Sequence, residues 1–270
     1  MATVSRADGT TLHYEVVGDG NALVLVHGSW GDSTGWAFVV PGLAESFRVV
    51  TYDRCGHGAS GGPPADGTVH DDVADLAALI EHLDLGPAHV CGNSYGTNIA
   101  LRLAIERPEL VRRLAGHEPP LLGLLRGRAE HAAAHDEARA SLDAVRQHLE
   151  AGDNARGAEL FVEDVAIGKG MWALLPTEMH DVFTANGPTF LGELRDPDAL
   201  TIDLDALVAI PMPLLLTDGD ASPPMFAPIM ACLTASLPGA RRHTFAGAGH
   251  VPQLTHPDEY VSTITDFLTA

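Results

Sequence analysis

Three residue types, far apart in this chain, could together activate a hydroxyl group. Ser94 lies in "VCGNSYGTN", residues 90–98, between Gly92 and Gly96 and directly after a run of strand-forming residues. A Gly-x-Ser-x-Gly sequence between a strand and a helix turns the chain so sharply that the hydroxyl stands clear of the sheet, and side chains in place of the glycines would collide with neighbouring backbone. A serine hydroxyl is a poor nucleophile until a base takes its proton, and attack on a carbonyl also needs donors for the developing oxyanion. His250, in "AGAGHVPQ" near the C-terminal end, stands among small residues that let an imidazole reach across a sheet edge. The donors are expected from "HGSWG", residues 27–31, through the backbone amide of Ser29, together with the amide of Tyr95 next to the nucleophile.

The order Ser, acid, His requires a carboxylate between the other two. Glu118 closes the apolar run 111–117, and Pro119 and Pro120 stop that strand at once, so its carboxylate should emerge at the same sheet edge as Ser94. Asp220, in "DGDASPP", is the alternative, and it needs a shifted backbone to point at His250. Glu118 is preferred because an orienting acid must first meet the far imidazole nitrogen by geometry.

The elements that must position these groups follow from periodicity. Short apolar runs at 12–17, 22–26, 48–52, 88–91, 111–116, 213–217 and 240–245 read as strands and alternate with helical patterns, which predicts a mainly parallel α/β sheet covered on both faces. Val73, Leu76, Ile80 and Leu83 mark one face of a helix over 71–84, a second helix runs from Ser94 toward Arg107, and Tyr260, Ile264 and Phe267 form the apolar side of a third. Between about 120 and 204 the strand pattern stops, and "RAEHAAAHDEARASLDAVRQHLEAGD" opens a run of helices punctuated by glycine and proline. The expected organisation is a core of residues 1–119 and 205–270 with a helical cap, 120–204, over one edge.

"HGSWG", "YDRCGHGAS", "GNSYG" and "GAGH", in this order and spacing, resemble the α/β-hydrolase superfamily over residues 10–118 and 205–268. The resemblance implies an eight-stranded, mostly parallel sheet with the active-site loops at its carboxyl edge, and no cofactor. In most such proteins the acid follows the strand equivalent to 213–217 in a Gly-x-x-Asp motif, whereas here Ser222 stands where that aspartate is expected. Some members resemble Glu118 in carrying their acid after the earlier strand. Within "YDRCGHG", Asp53 and Arg54 suit a turn-stabilising role, and His57 is structural. Serine at position 94 separates the chain from relatives that use an aspartate nucleophile.

Composition narrows the partners. A formal charge of −20 disfavours nucleic acid, whose binding draws on Lys and Arg. The N-terminal "MATVSRADGT" has no apolar signal region and no run is long enough for a membrane span, so a cytoplasmic location is expected. Cys55, Cys91 and Cys232 are too scattered for a disulfide framework or a CxxC metal site. His131 and His135 stand four apart without a third ligand, and "HEPP" at 117–120 is not a zincin motif, so no metal is expected. Trp30, Met171 and Trp172 are candidates to line a substrate pocket, within a group that also holds Met179, Phe183 and Phe190. The expectation is hydrolysis of a small, mainly apolar ester or lactone through an acyl-enzyme. Asn93 before the nucleophile suggests carbon–carbon bond hydrolysis of a diketone-like substrate as an alternative, and a non-catalytic ligand-binding role is a third.

Overall fold

The structure, a computed structural model, describes residues 2–6, 9–62 and 67–270. Eight strands, β1 (Ala2–Ser5), β2 (Thr11–Val17), β3 (Asn21–Val26), β4 (Phe47–Tyr52), β5 (Ala88–Asn93), β6 (Val111–His117), β7 (Leu214–Gly219) and β8 (Arg241–Phe245), form one sheet in the order β1-β2-β4-β3-β5-β6-β7-β8. β1 and β2 run antiparallel to their neighbours, and every pairing from β4 to β8 is parallel. Periodicity marks seven of these strands. It passes over β1, which has four residues of which only Val4 is buried.

The central parallel strands β3, β4, β5 and β7 are buried over most of their length because both sheet faces are covered there, whereas the edge strand β8, Arg-Arg-His-Thr-Phe, is largely exposed. Along β3, Val24 and Val26 enter one hydrophobic cluster while Leu23 and Leu25 enter the other, as the two-residue period of a strand requires. The first cluster packs against α1 (Val69–His82) and α2 (Tyr95–Glu106), and the second against Trp36, Val39, Leu43 and the C-terminal helix. α1 begins two residues before the periodic pattern because Thr68 and Asp71 close a capping box on its first turn.

Between β6 and β7 the chain forms four longer helices: α3 (Ala132–Glu150), α4 (Asn154–Phe161), α5 (Thr177–Ala185) and α6 (Gly187–Arg195). α4 runs into one π-helical turn, Val162–Ala166. After β7, α7 (Phe226–Ser236) and α8 (Pro257–Thr269) complete the layers. The helical segment is pinned to the loop after β3: Trp30 stacks with Phe161 and Phe190 at centroid distances of 5.1 and 5.0 Å, and Asn186 Nδ2 donates to Trp30 O at 2.9 Å.

Candidate active site

The parallel register decides which residues share an edge. Asn93, His117 and Thr217 stand side by side on β5, β6 and β7, so Ser94, Glu118 and Asp218 are the next residues toward the carboxyl edge. The ladder extends past the strands, with Ser94 N donating to His117 O at 2.8 Å and Glu118 N to Thr217 O at 3.1 Å. This edge lies where the sheet order reverses around β3, the usual binding crevice of an open α/β sheet.

Ser94 has φ 54° and ψ −123°, a conformation that costs a non-glycine residue about 1–3 kcal/mol and persists only where its surroundings enforce it. They do so here. A Cβ on Gly92 would lie 2.6 Å from Gly96 backbone, and one on Gly96 only 2.1 Å from Val26 O, so no side chain fits either side of the turn. Tyr95 is the first residue of α2, and its amide is among the helical N–H groups without an intrahelical acceptor. The loop after β3 comes close to the serine: a Cβ on Gly28 would stand 3.1 Å from Ser94 Cβ.

Glu118 is fully buried, and its carboxylate meets His250 directly. His250 Nδ1 lies 2.7 Å from Glu118 Oε2, and Gly219 N donates to Oε1 at 2.9 Å. Burial pushes the Glu118 carboxyl up, but the adjoining His117 and His250 imidazoles outweigh it and hold the group far below the ordinary carboxylate range. With Nδ1 engaged, Nε2 is the ring nitrogen left free of the carboxylate. Asn93 Nδ2 donates to His250 O at 3.0 Å, and the Phe226 ring stacks on the imidazole at 4.1 Å between centroids. Asp220 is exposed and accepts from Gly247 N at 2.6 Å, and Asp218 accepts from Thr244 Oγ1 and Arg242 on the strand surface. Neither meets His250.

Two cavities flank Ser94. The larger, about 150 Å³, is bounded by Ser29, Asn93, Met179, Val182, Phe183 and His250, and the smaller, about 30 Å³, by Leu142, Phe190, Glu193, Met225 and Phe226. Ser29, Ser94, Phe161, Ala166 and His250 border both. Trp30, Met171 and Trp172 border neither. Trp30 is sealed inside the aromatic stack, and Trp172 lies flat on His180 at 4.1 Å, so these side chains pack the helical segment internally. Met179, Phe183 and Phe190 of the wider aromatic and methionine group do reach the cavities.

The sequence pattern gives no sign of a buried charge cluster beside the serine. Arg54 donates from Nε and Nη2 to both oxygens of Asp72 at 3.0 and 2.8 Å, and from Nη2 to Glu193 Oε1 at 2.9 Å. Glu193 Oε2 accepts from the Ser29 hydroxyl, Arg54 Nη1 donates to Gly28 O at 3.3 Å, and the guanidinium lies 4.6 Å over the Tyr95 ring. Arg54 therefore does more than stabilise its turn: it joins β4, α1 and α6 beneath the loop that carries Ser29. Burial raises the Glu193 carboxyl despite Arg54. Asp53 does hold its turn, accepting from Ser33 N and Ala59 N at 2.8 and 2.9 Å. His57 is enclosed against His27, and burial pushes its imidazole well down. Of the His, Cys, Asp and Glu side chains among the described residues, His117, Glu118 and His250 stand close enough to share an ion, and His131 and His135 belong to no such group.

Residues 23–263 match the alpha/beta hydrolase family, and the chain belongs to it. It is 32% identical over 271 aligned positions, 96% of this chain and 90% of the other, to a 2-hydroxymuconate semialdehyde hydrolase of Pseudomonas sp. strain CF600. It is 41% identical over 127 residues to YraK, an uncharacterized hydrolase of Bacillus subtilis strain 168, a match covering 45% of this chain and 46% of that protein. The crystal structure of an alpha/beta hydrolase from Sphaerobacter thermophilus superposes with a TM-score of 0.79 at 28% identity, over 99% of this chain and all (100%) of that one. Its eight-stranded sheet and relatives make this chain a hydrolase of that family.

Proposed function

We propose that the protein cleaves a small, mainly apolar carboxylic ester or lactone through an acyl-enzyme on Ser94. The observation that carries this reading is the buried Glu118–His250 hydrogen bond at 2.7 Å beside cavities that His250 shares with Ser94. His250 takes the Ser94 proton as the hydroxyl attacks, and Glu118 holds the imidazole in the tautomer that leaves Nε2 free and stabilises the cation that forms. The amides of Ser29 and Tyr95 receive the developing oxyanion. His250 then protonates the leaving alcohol, and water repeats the sequence to release the acid. The segment between β6 and β7 serves as a cap that shapes the pockets, with Phe161, Met179 and Phe183 as specificity contacts.

A fluorophosphonate probe tests the nucleophile. Wild-type protein should label at Ser94 and hydrolyse p-nitrophenyl esters, whereas folded Ser94→Ala should do neither. Labelling retained in that variant removes Ser94 from the scheme.

The near full-length similarity to a 2-hydroxymuconate semialdehyde hydrolase favours carbon–carbon bond hydrolysis as a second reading. Chromatography of the products from an ester panel and from a vinylogous diketone separates the two: ester turnover at least about 100-fold faster supports the first, and the reverse order supports the second.

A further inference from the structure

The acyl-transfer scheme leaves one group at the site idle. His117, the last residue of β6, is 1% exposed. Its Nδ1 lies 2.9 Å from Thr217 Oγ1, but Nε2 has no hydrogen-bond partner although it stands 3.5 Å from Glu118 Oε2. At 3.5 Å the contact with Glu118 is longer than a good hydrogen bond, so Nε2 has room for a better partner. One donor atom from each of His117, Glu118 and His250 lies within 4.8 Å of the other two, and all three residues are buried.

Two imidazoles and a carboxylate are a donor set for zinc and its neighbours in the first transition row. Zinc–ligand bonds of about 2.0–2.2 Å put the donors of a tetrahedral site roughly 3.3 Å apart. The two pairs involving Glu118 Oε2 are 3.5 and 2.7 Å apart and all three donors lie within 4.8 Å of one another, so side-chain shifts must draw them in around an ion. Outer contacts that would orient the ligands already exist. Thr217 holds His117 by the nitrogen not needed for the ion, and the Gly219 amide holds Glu118 by Oε1. His250 borders both cavities, and its Nδ1 lies behind the ring against Glu118, so an ion must pass the imidazole to reach the three donors.

We propose that His117, Glu118 and His250 bind a divalent transition-metal ion, zinc foremost, and that the bound ion switches the triad off. The binding geometry stands by itself, while the switching rests on the assignment of His250 as the base. On binding, the Nδ1–H bond of His250 breaks, its proton passes to solvent and that nitrogen's electron pair goes to the metal, while Nε2 takes up one proton from solvent. No electron is transferred and no net proton is released. A neutral imidazole metallated at Nδ1 carries its proton at Nε2, the nitrogen the proposed mechanism needs as the base, and cannot accept another.

Zinc chloride alone is the probe. Equilibrium dialysis of Ser94→Ala protein should retain one tight equivalent, and His117→Asn should weaken that equivalent by more than about 100-fold, beyond the roughly 10–100-fold typical of losing an outer-sphere partner. Asparagine places an amide near the Nδ1 position for Thr217 and removes Nε2. In wild type, zinc should inhibit ester turnover reversibly with a chelator, and the half-inhibiting concentration should rise by the same factor in His117→Asn, each variant scaled to its own metal-free rate. Equal zinc affinity in the two proteins overturns the site. Zinc bound through His117 in a protein without ester turnover leaves the site standing and removes the hydrolytic reading instead. If His117→Asn does not fold, electron paramagnetic resonance of wild type with one equivalent of Cu²⁺ decides: couplings to two imidazole nitrogens support the site, and fewer overturn it.

Discussion

Glu118 and Asp220 offer the sharpest contrast at the level of single residues. Glu118→Gln keeps the shape but removes the charge that would stabilise the His250 cation. In a serine-protease triad the comparable change costs about 10⁴ in turnover, and a loss on the order of 10³ to 10⁴ is the expectation here. Asp220→Asn should change turnover less than about 3-fold, because its carboxylate only caps Gly247 N at 2.6 Å on an exposed turn. Steady-state kinetics of both folded variants check this, and a crippled Asp220→Asn beside a normal Glu118→Gln transfers the role. Ser94 is legible because its signal is local: two glycines and a strand–helix junction within nine residues. Glu118 is legible because prolines end its strand at the edge where an acid is wanted. Glu193 is not legible, since in "FLGELRD" it looks like any acidic residue near a helix end, and its value comes from Arg54, 139 positions away.

Among the elements, α6 does more than a lid shaping the pocket would. Its Glu193 receives the Ser29 hydroxyl and Arg54, and Arg54 in turn reaches Gly28 O, so a helix of the insertion braces the loop expected to supply an oxyanion donor. Glu193→Ala should therefore slow an acetate ester and longer esters alike, by about 10-fold or more, with kcat affected rather than KM. Glu193→Gln, which can still accept from Ser29, should recover most of the rate. Phe183→Ala, in the wall of the larger cavity, should instead change the preferred chain length by about 1–3 kcal/mol and spare the acetate rate. A kcat and KM series from acetate to octanoate for the three variants tests the division, and an Ala variant at 193 that alters only chain length refutes the brace. The central strands are readable because β3, β4, β5 and β7 are apolar runs buried on both faces. The segment between β6 and β7 is readable only as helices, because which of their side chains reach the site depends on packing between segments far apart in sequence. That is why Trp172 turned out to lie on His180 while Phe161, not singled out in the sequence, borders both cavities.

Across the whole molecule, buried histidines set the response to acid. Burial lowers His27 and His89 to about 4, and His57 and His117 also fall below their ordinary value. A histidine depressed in the folded state costs nothing above its unfolded pKa of about 6.5, and stability is lost as pH falls from there toward the folded value, because the unfolded chain takes the proton first. His27 alone amounts to about 3 kcal/mol over that window. Asp75, which burial raises to about 7 despite Arg6, offsets part of this, and Glu118 adds a further loss below about pH 4.5. Relief of the −20 net charge works the other way, but surface repulsion is screened beyond about 8 Å in 0.15 M salt, whereas the buried imidazoles are not. The melting temperature at that ionic strength should hold between pH 8 and 7 and fall steadily from about 6.5 to 4.5. A flat calorimetric profile contradicts this.

The placement of the acid on β6 divides the chain unevenly. Everything nominated for attack and charge stabilisation (Ser29, Ser94, Tyr95 and Glu118) precedes residue 119, and only the base follows. If the polypeptide were severed at the exposed Gly127, the first piece would carry the nucleophile, its oxyanion donors and the acid, and the second would contribute a single catalytic imidazole. Co-expressed halves should then regain esterase activity only when β7 docks beside β6 and brings His250 onto Glu118. The enzyme would become a two-part reporter whose output is the arrival of one histidine.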